Sequence, residues 1–474
     1  MLDTGWAASV FAVLSLAIAV VTAGHALLQR RDTGMLIAWV GLIFLLPLAG
    51  SILYWLFGVN RIRRRAHALR EGHLLSHLQP REGERPLPPA RWARLVHSGD
   101  RLSPFRLTGG NAMEPLFDGD HAYGAMLEAI DQAQFSITLA TYIFDYDPQG
   151  QRFVRHLKAA RERGVAVRVL VDGIGVRYSR RNTVRQLRRA GVVAAEFLPV
   201  HHIPRRFAAF NLRNHRKLLV VDGRRGFTGG MNIRRGHSPS DPGRHPIQDL
   251  HFTVRGPVCH QLQRVFAEDW EFSTGEHLKG ETWFPPLGMD GGALLCRGLP
   301  DGPDEDFEIL NFTLQAAIAE ARERIVIATP YFLPDHALVG ALKAAALRGI
   351  RVDILLPERN NLRLVQWASQ PGQAELLERG CRLWLTPPPF NHSKIMLVDG
   401  EWVLAGSANW DPRSLRLNFE FNLECYDPGL GGRLTQWADD LLEQSRELML
   451  AEVYRRPLPI RLRDGAARLL TPYL

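Results

Sequence analysis

From Trp6 to Leu28 the chain is apolar apart from scattered Ser, Thr and Gly and one His25, and it carries no Lys, Arg, Asp or Glu. Gly34 to Gly58 repeats that pattern and ends around Tyr54 and Trp55, aromatic types that favour the membrane–water interface. Each stretch meets the roughly 20 residues a helix needs to cross a bilayer, so residues 1–65 are expected to form a transmembrane helical hairpin. A cleaved leader fits poorly, because Asp3 stands where a basic segment would be, and two charge-free stretches are too long for core helices. Arg30 and Arg31 lie between the stretches, whereas Arg61, Arg63, Arg64, Arg65 and Arg70 follow the second. By the positive-inside rule that bias is expected to put the rest of the chain on the cytoplasmic face of the membrane, as a multi-pass protein.

Residues 66–106 are rich in Pro, Arg, Glu and His with little periodicity, and read as a juxtamembrane linker. Beyond it the pattern alternates between β-branched runs and amphipathic stretches closed by Gly. Ala140-Thr-Tyr-Ile-Phe144, Leu157-Lys-Ala-Ala-Arg-Glu-Arg-Gly164 and Val165–Val171 follow one another as strand, helix and strand. Ala328-Thr-Pro-Tyr-Phe332, Leu342-Lys-Ala-Ala-Ala-Leu-Arg-Gly349 and Ile350–Leu356 do so again, 188 and 185 residues later at the first two elements. Two α/β lobes with parallel or mixed sheets are expected, over 107–285 and 286–455, followed by a tail at 456–474. In that tail Arg461, Arg463 and Arg468 alternate with leucines, which fits either an amphipathic surface helix or a packed terminal element.

Composition adds two facts. The formal charge of +9 favours anionic partners: phospholipid head groups, a membrane surface or nucleic acid. Only five of the 58 basic residues are lysine (Lys158, Lys217, Lys279, Lys343, Lys394), so a lysine here is a candidate for a task that needs a compact ammonium. The four cysteines have no metal-binding or redox spacing and are expected to be buried free thiols.

Two of those lysines sit in a repeated motif. Asn214-His-Arg-Lys-Leu-Leu-Val-Val-Asp222 and Asn391-His-Ser-Lys-Ile-Met-Leu-Val-Asp399 both read H-x-K-x4-D, with the histidines 177 apart. Gly229-Gly230 and Gly406-Ser407 follow at 14 and 15 residues, and Asn232 and Asn409 at 17. His and Lys two apart on a strand share a face, so an imidazole and an ammonium converge. The Asp at i+7 has opposite parity and is expected to support the backbone. Gly permits close approach, and Asn can donate to a phosphate oxygen, which completes an anion cradle.

These residues resemble the double-HKD pattern of the phospholipase D superfamily, from about Leu107 to about Glu452. The resemblance implies two pseudo-symmetric α/β/α lobes sharing one active site without metal or cofactor. It implies that His215 attacks phosphorus, His392 acts as acid and then base, and Lys217, Lys394, Asn232 and Asn409 hold the phosphate oxygens. Sequence symmetry does not itself distinguish the histidines. Asp249 in Gln248-Asp-Leu-His251 and Glu420 in Asn418-Phe-Glu-Phe-Asn422 are candidates for the carboxylates that orient the imidazoles.

Within that superfamily Leu46-Pro-Leu-Ala-Gly50, Leu53–Gly58, Thr329–Pro334 and Gly406–Asn409 are similar to segments of bacterial cardiolipin synthases. The implied reaction joins two phosphatidylglycerols into cardiolipin and glycerol at the bilayer. Ile247-Gln-Asp249 departs from the Trp-Arg-Asp common in that family, and Arg234 to Pro246 is rich in Pro, Arg and His, which leaves the acceptor open. A hydrolytic phospholipase D, a membrane-tethered nuclease using basic runs such as Arg180–Arg189, and a non-catalytic lipid-binding scaffold are the alternatives. Two complete motifs weigh against the last, and the apolar N-terminus favours lipid over nucleic acid.

Overall fold

The structure is a computed structural model that describes residues 4–28, 33–55, 88–179, 181–199, 212–286, 292–303 and 308–471. Two compact units divide the chain, Met1–Ala68 and Leu69–Leu474.

In the first unit, Thr4–Leu28 is one uninterrupted helix, and Ser9–Leu28 within it is long and apolar enough to cross a membrane. Its small residues Ala19, Ala23 and Ala26 face a second segment and form a cluster with Ile43 and Tyr54. Phe11, Val13, Leu14 and Val21 are exposed, a surface suited to hydrocarbon rather than water. The second segment is not the one continuous helix expected from its length. It breaks into Thr33–Leu45 and Pro47–Leu53, because Pro47 has no N–H to continue the helical ladder. A Cβ on Gly50 would lie 2.4 Å from the Leu42 carbonyl oxygen, so the kink closes tightly there. Arg30, Arg31, residues 56–87 and Arg180 lie outside the described residues, and with them the charges used to orient the anchor.

In the second unit a single continuous sheet runs through both lobes. Its seam is the antiparallel pair Thr108–Leu116 and Leu294–Asp301. Outward from the seam the first lobe adds His251–Arg255, Arg225–Gly229, Leu218–Val221, Ser136–Thr141, Ala166–Asp172 and Val193–Phe197. The second adds Asn418–Tyr426, Trp402–Gly406, Ile395–Val398, Arg324–Ala328, Arg351–Pro357 and Arg382–Thr386 in the same order. In each lobe the three outermost of these strands are parallel and the rest antiparallel. Ser136–Thr141 and Ile395–Val398 are buried throughout, which is why they read as apolar runs without alternation.

The duplication extends to side chains. Helix Pro148–Glu162 buries Phe153, Val154, Leu157 and Ala160, and helix His336–Leu347 buries Leu338, Val339, Leu342 and Ala345 at the same spacing. Asp147 and Asp335 cap them, each accepting a backbone N–H at 3.0 Å. Each lobe has its own apolar core, and all four cysteines are buried and free.

One stretch read as linker is structured. Ala90–Trp92 forms a 3-10 turn leading into helix Ala93–Leu102, and Trp92, Leu95 and Val96 enter the core of the second lobe. Trp92, Leu95, Val96 and Leu102 do fall at helical spacing, directly after the Pro86, Pro88 and Pro89 that mark the segment as a linker.

Candidate active site

The backbone around each motif histidine crosses to the other lobe. Arg213–Asn214 pairs in parallel with Asn418–Phe419, and the His215 N–H donates to the Phe419 carbonyl at 2.9 Å. Phe390–Asn391 pairs in parallel with Ile247–Gln248, and the His392 N–H donates to the Gln248 carbonyl at 2.7 Å. Lys217 and Lys394 stand just before strands Leu218–Val221 and Ile395–Val398. Each ammonium donates back to the carbonyl of its own histidine, Lys217 to His215 at 2.5 Å and Lys394 to His392. Imidazole and ammonium thus lie together in both halves.

The carboxylates cross over as well. His215 Nδ1 lies 2.9 and 3.0 Å from the two oxygens of Glu420, and His392 Nδ1 lies 2.7 Å from Asp249 Oδ2. With Nδ1–H donated, the remaining ring nitrogen is free to act on substrate. Glu420 is braced by the Ser407 hydroxyl at 2.5 Å and the Asn418 amide at 3.1 Å. At the equivalent first-lobe position Gly230 leaves room instead, since a Cβ there would lie 2.2 Å from Asp249 Oδ1. Asp249 also accepts the Leu250 N–H at 2.8 Å.

Asp222 and Asp399 point away from this cluster. Each occupies the left-handed region, with φ of 50° and 53°, at the turn after its motif strand. Asp222 accepts the backbone N–H groups of Gln134, Phe135 and Ser136 at 2.7–2.9 Å, tying the turn to the start of the next strand. Asp399 accepts those of Arg322, Glu323 and Arg324 over the same range and also meets Arg91. Asn232 is partly engaged by structure, its Oδ1 accepting the Ile143 N–H at 3.1 Å. The Asn409 amide donates to Ser414 Oγ at 3.3 Å, while its Oδ1 is buried without a hydrogen-bond partner.

Burial governs the electrostatics. It pushes Lys217 down to about 7, against the nearby Glu420, and Lys394 down to about 8, against Asp249. It also lowers His215, with Glu420 opposing, and lowers His392 well below its ordinary value, with Lys394 and Lys217 adding to the effect. The two carboxylates diverge. Burial raises Asp249, whereas for Glu420 the upward push of burial is outweighed by His215, Lys217 and Ser407, which hold it below the usual range. Glu420 is therefore held as the carboxylate that accepts the Nδ1–H of His215. Both lysines and both imidazoles are set to gain from an incoming anion.

Several site residues lack a signal in the motif spacing. Tyr142 and His215 meet in a T-shaped contact at 5.1 Å between ring centroids, and Tyr331 and His392 do so at 6.4 Å. They occupy comparable places in the two repeated Ala-Thr segments, so the internal repeat could have paired them. Arg216 donates to Asp269 at 2.7 Å and to the Glu420 carbonyl at 3.0 Å, pinning the first motif to the strand that carries Glu420. His237, from the Pro-, Arg- and His-rich segment, is buried 3.9 Å from Asp249, and neither ring nitrogen has a hydrogen-bond partner. Burial pushes it to about 3, which keeps it neutral.

Comparison with known proteins agrees with this arrangement. The family described as "Cardiolipin synthase, PLD-like domain" matches residues 126–270 and 314–444, and a phospholipase D-nuclease N-terminal family matches residues 13–58. The chain is similar to the cardiolipin synthase of Geobacillus thermodenitrificans, 34% identical over 458 residues that cover 94% of this chain and 90% of the relative. It is similar also to the major cardiolipin synthase ClsA of Bacillus subtilis, 31% identical with 98% of each covered. Among solved structures, phosphatidylserine synthase of Haemophilus influenzae has the same fold, with a TM-score of 0.59 at 16% identity over 80% of this chain and 100% of that one. Matched along nearly its whole length, with both halves of the domain in place, the chain belongs to the phospholipase D-like cardiolipin synthase family.

Proposed function

We propose that this protein is a membrane-bound phosphatidyltransferase that makes cardiolipin and glycerol from two phosphatidylglycerols. The observation that carries the reading is the crossed pair of dyads, His215 with Glu420 and His392 with Asp249, each closed by residues of both lobes. His215 Nε2 attacks the phosphorus of the first lipid, and the bond from phosphorus to the glycerol oxygen breaks. His392 gives its proton to that oxygen, and a phosphatidyl-histidine remains. The neutral His392 then takes the proton of the terminal hydroxyl of a second phosphatidylglycerol, whose oxygen displaces His215 and forms cardiolipin.

Lys217, Lys394, Asn232 and Asn409 stabilise the charge that gathers on the equatorial oxygens in both steps. Burial disfavours the protonated His392 that the first step requires, and the anionic phosphodiester offsets this by raising the imidazole's proton affinity. Asp222 and Asp399 hold the motif turns in place, while Gly230 and Ser407 shape the seats of Asp249 and Glu420. The arginine bias around the N-terminal segment supports a catalytic unit on the cytoplasmic face of the bacterial inner membrane.

The test is the full-length protein in detergent with labelled phosphatidylglycerol and no added metal. Cardiolipin and glycerol in equal amounts are expected. Phosphatidic acid as the sole lipid product would overturn the synthase reading in favour of hydrolysis.

A further inference from the structure

The tail is both of the things its sequence allows. Leu458–Arg468 is a helix that packs through Asp464 and Ala467, and Ala467 joins Val365 and Ala368 of helix Arg363–Ser369 in one apolar cluster. Arg463 lies over the Trp367 ring at 4.4 Å and pairs with Asp464. With that face occupied, the opposite face of an ordinary soluble helix would be polar. Here Leu458, Leu462 and Leu469, spaced four and seven apart and so on one side, are 64%, 64% and 79% exposed. Leu362 and Leu364, at the start of the neighbouring helix, are also exposed. Arg359, Arg363, Arg461 and Arg468, on the same two helices and the turn before them, are exposed as well, and the one acid of the terminal helix, Asp464, is buried.

Leucines projecting between arginines suit the boundary between head groups and acyl chains of an anionic leaflet. The patch is also close to the chemistry. Tyr331 packs against the same cluster and makes a T-shaped ring contact with His392 at 6.4 Å between centroids. A cavity of about 300 Å³ between helix Arg363–Ser369 and the strand ends has Tyr331 in its wall.

We infer that helix Leu458–Arg468, with Leu362 and Leu364, is a membrane-contact surface that rests on anionic phospholipid and holds the His392 side of the active site at the head groups. This rests on the reading of bilayer lipid as the substrate. The test uses the full-length chain reconstituted into vesicles of phosphatidylglycerol and phosphatidylcholine, with a polarity-sensitive dye on Leu462→Cys. The native cysteines are buried and leave that thiol as the one to label.

Lipids brominated near the head group are expected to quench this dye at least twofold more than one on Gln151→Cys, an exposed position in the first lobe. The preference should shrink in vesicles of phosphatidylcholine alone. Replacing Leu458, Leu462 and Leu469 by Ser should slow turnover on vesicles about tenfold, equivalent to about 1.4 kcal/mol, and leave turnover on detergent-dispersed substrate unchanged. Equal quenching at 462 and 151 would overturn the inference. So would a dye at 462 already shielded in detergent without lipid, which would mark the face as a contact between copies of the chain. Selective quenching at 462 in a protein that makes no cardiolipin would support the surface and count against the proposed reaction alone.

Discussion

Glu420 belongs to the second lobe, yet both of its carboxylate oxygens lie within 3.0 Å of Nδ1 of His215 in the first. Removing the charge while keeping the shape isolates what that contact does. Glu420→Gln should lower transfer by roughly 10³-fold or more, the scale on which an imidazole loses its orienting carboxylate, with substrate binding little changed. A turnover within tenfold of the parent, measured on a variant whose thermal melt is preserved, would remove Glu420 from that role.

Gly230 offers a finer probe of the other dyad. Gly230→Ala places a methyl 2.2 Å from Asp249 Oδ1, so the carboxylate must move and His392 loses its 2.7 Å partner. Activity should fall by about 10²-fold, as expected when a reacting group shifts by about an ångström. Gly340→Ala is the control. It lies inside helix His336–Leu347 with open space where the Cβ would go, and should stabilise the protein by about 0.5–1 kcal/mol without touching turnover. Melting curves and initial rates on the two variants check both statements.

Lys217 gives stability and activity opposite slopes with pH. Its folded value of about 7 lies below the ordinary 10.5, so between the two the unfolded chain binds a proton that the folded chain has released. Its contribution to stability therefore rises with pH across that window and is lost as pH falls toward 7. Transfer runs the other way, because the neutral amine no longer stabilises phosphate charge. Lys217→Met should abolish transfer and raise the urea midpoint of the ligand-free protein at pH 7, with a smaller gain at pH 9.5. A gain that grows with pH would contradict the burial argument.

The seam of the sheet contains a buried charge that should be costly to orphan. Arg297 pairs with Glu424 on the adjacent strand and with Asp100 of helix Ala93–Leu102 at 2.6 Å. Arg297→Met leaves Glu424 buried without its partner and should cost about 3–5 kcal/mol, read as a lowered denaturant midpoint. The double variant Arg297→Met with Glu424→Leu should recover most of that loss.

Much of this site is legible in the chain. The motif spacing brings His215 beside Lys217 and His392 beside Lys394, two residues apart in the extended chain that leads into strands Leu218–Val221 and Ile395–Val398. Asp222 and Asp399, by contrast, reach their backbone N–H groups from the left-handed turn that ends each strand, which parity along an unbroken strand does not describe. Which carboxylate serves which histidine is not local. Asp249 follows His215 by 34 residues and Glu420 follows His392 by 28, yet each reaches the other histidine through a two-residue parallel pairing that no spacing encodes. Helix Ala93–Leu102 carries its apolar residues at helical spacing, but the second-lobe surface they cover is distant in sequence, and the prolines just before it mark a linker. The break at Pro47 interrupts a stretch whose length and hydropathy alone describe one continuous span.

The two short parallel pairings have a further consequence. Since every imidazole is hung from one repeat and braced by the other, neither repeat can decay into a spare copy while its twin carries on. Duplication ordinarily frees one copy to drift, but here it binds two halves into a single unit of inheritance, in which a lesion at Asp249 disables the histidine of the opposite repeat.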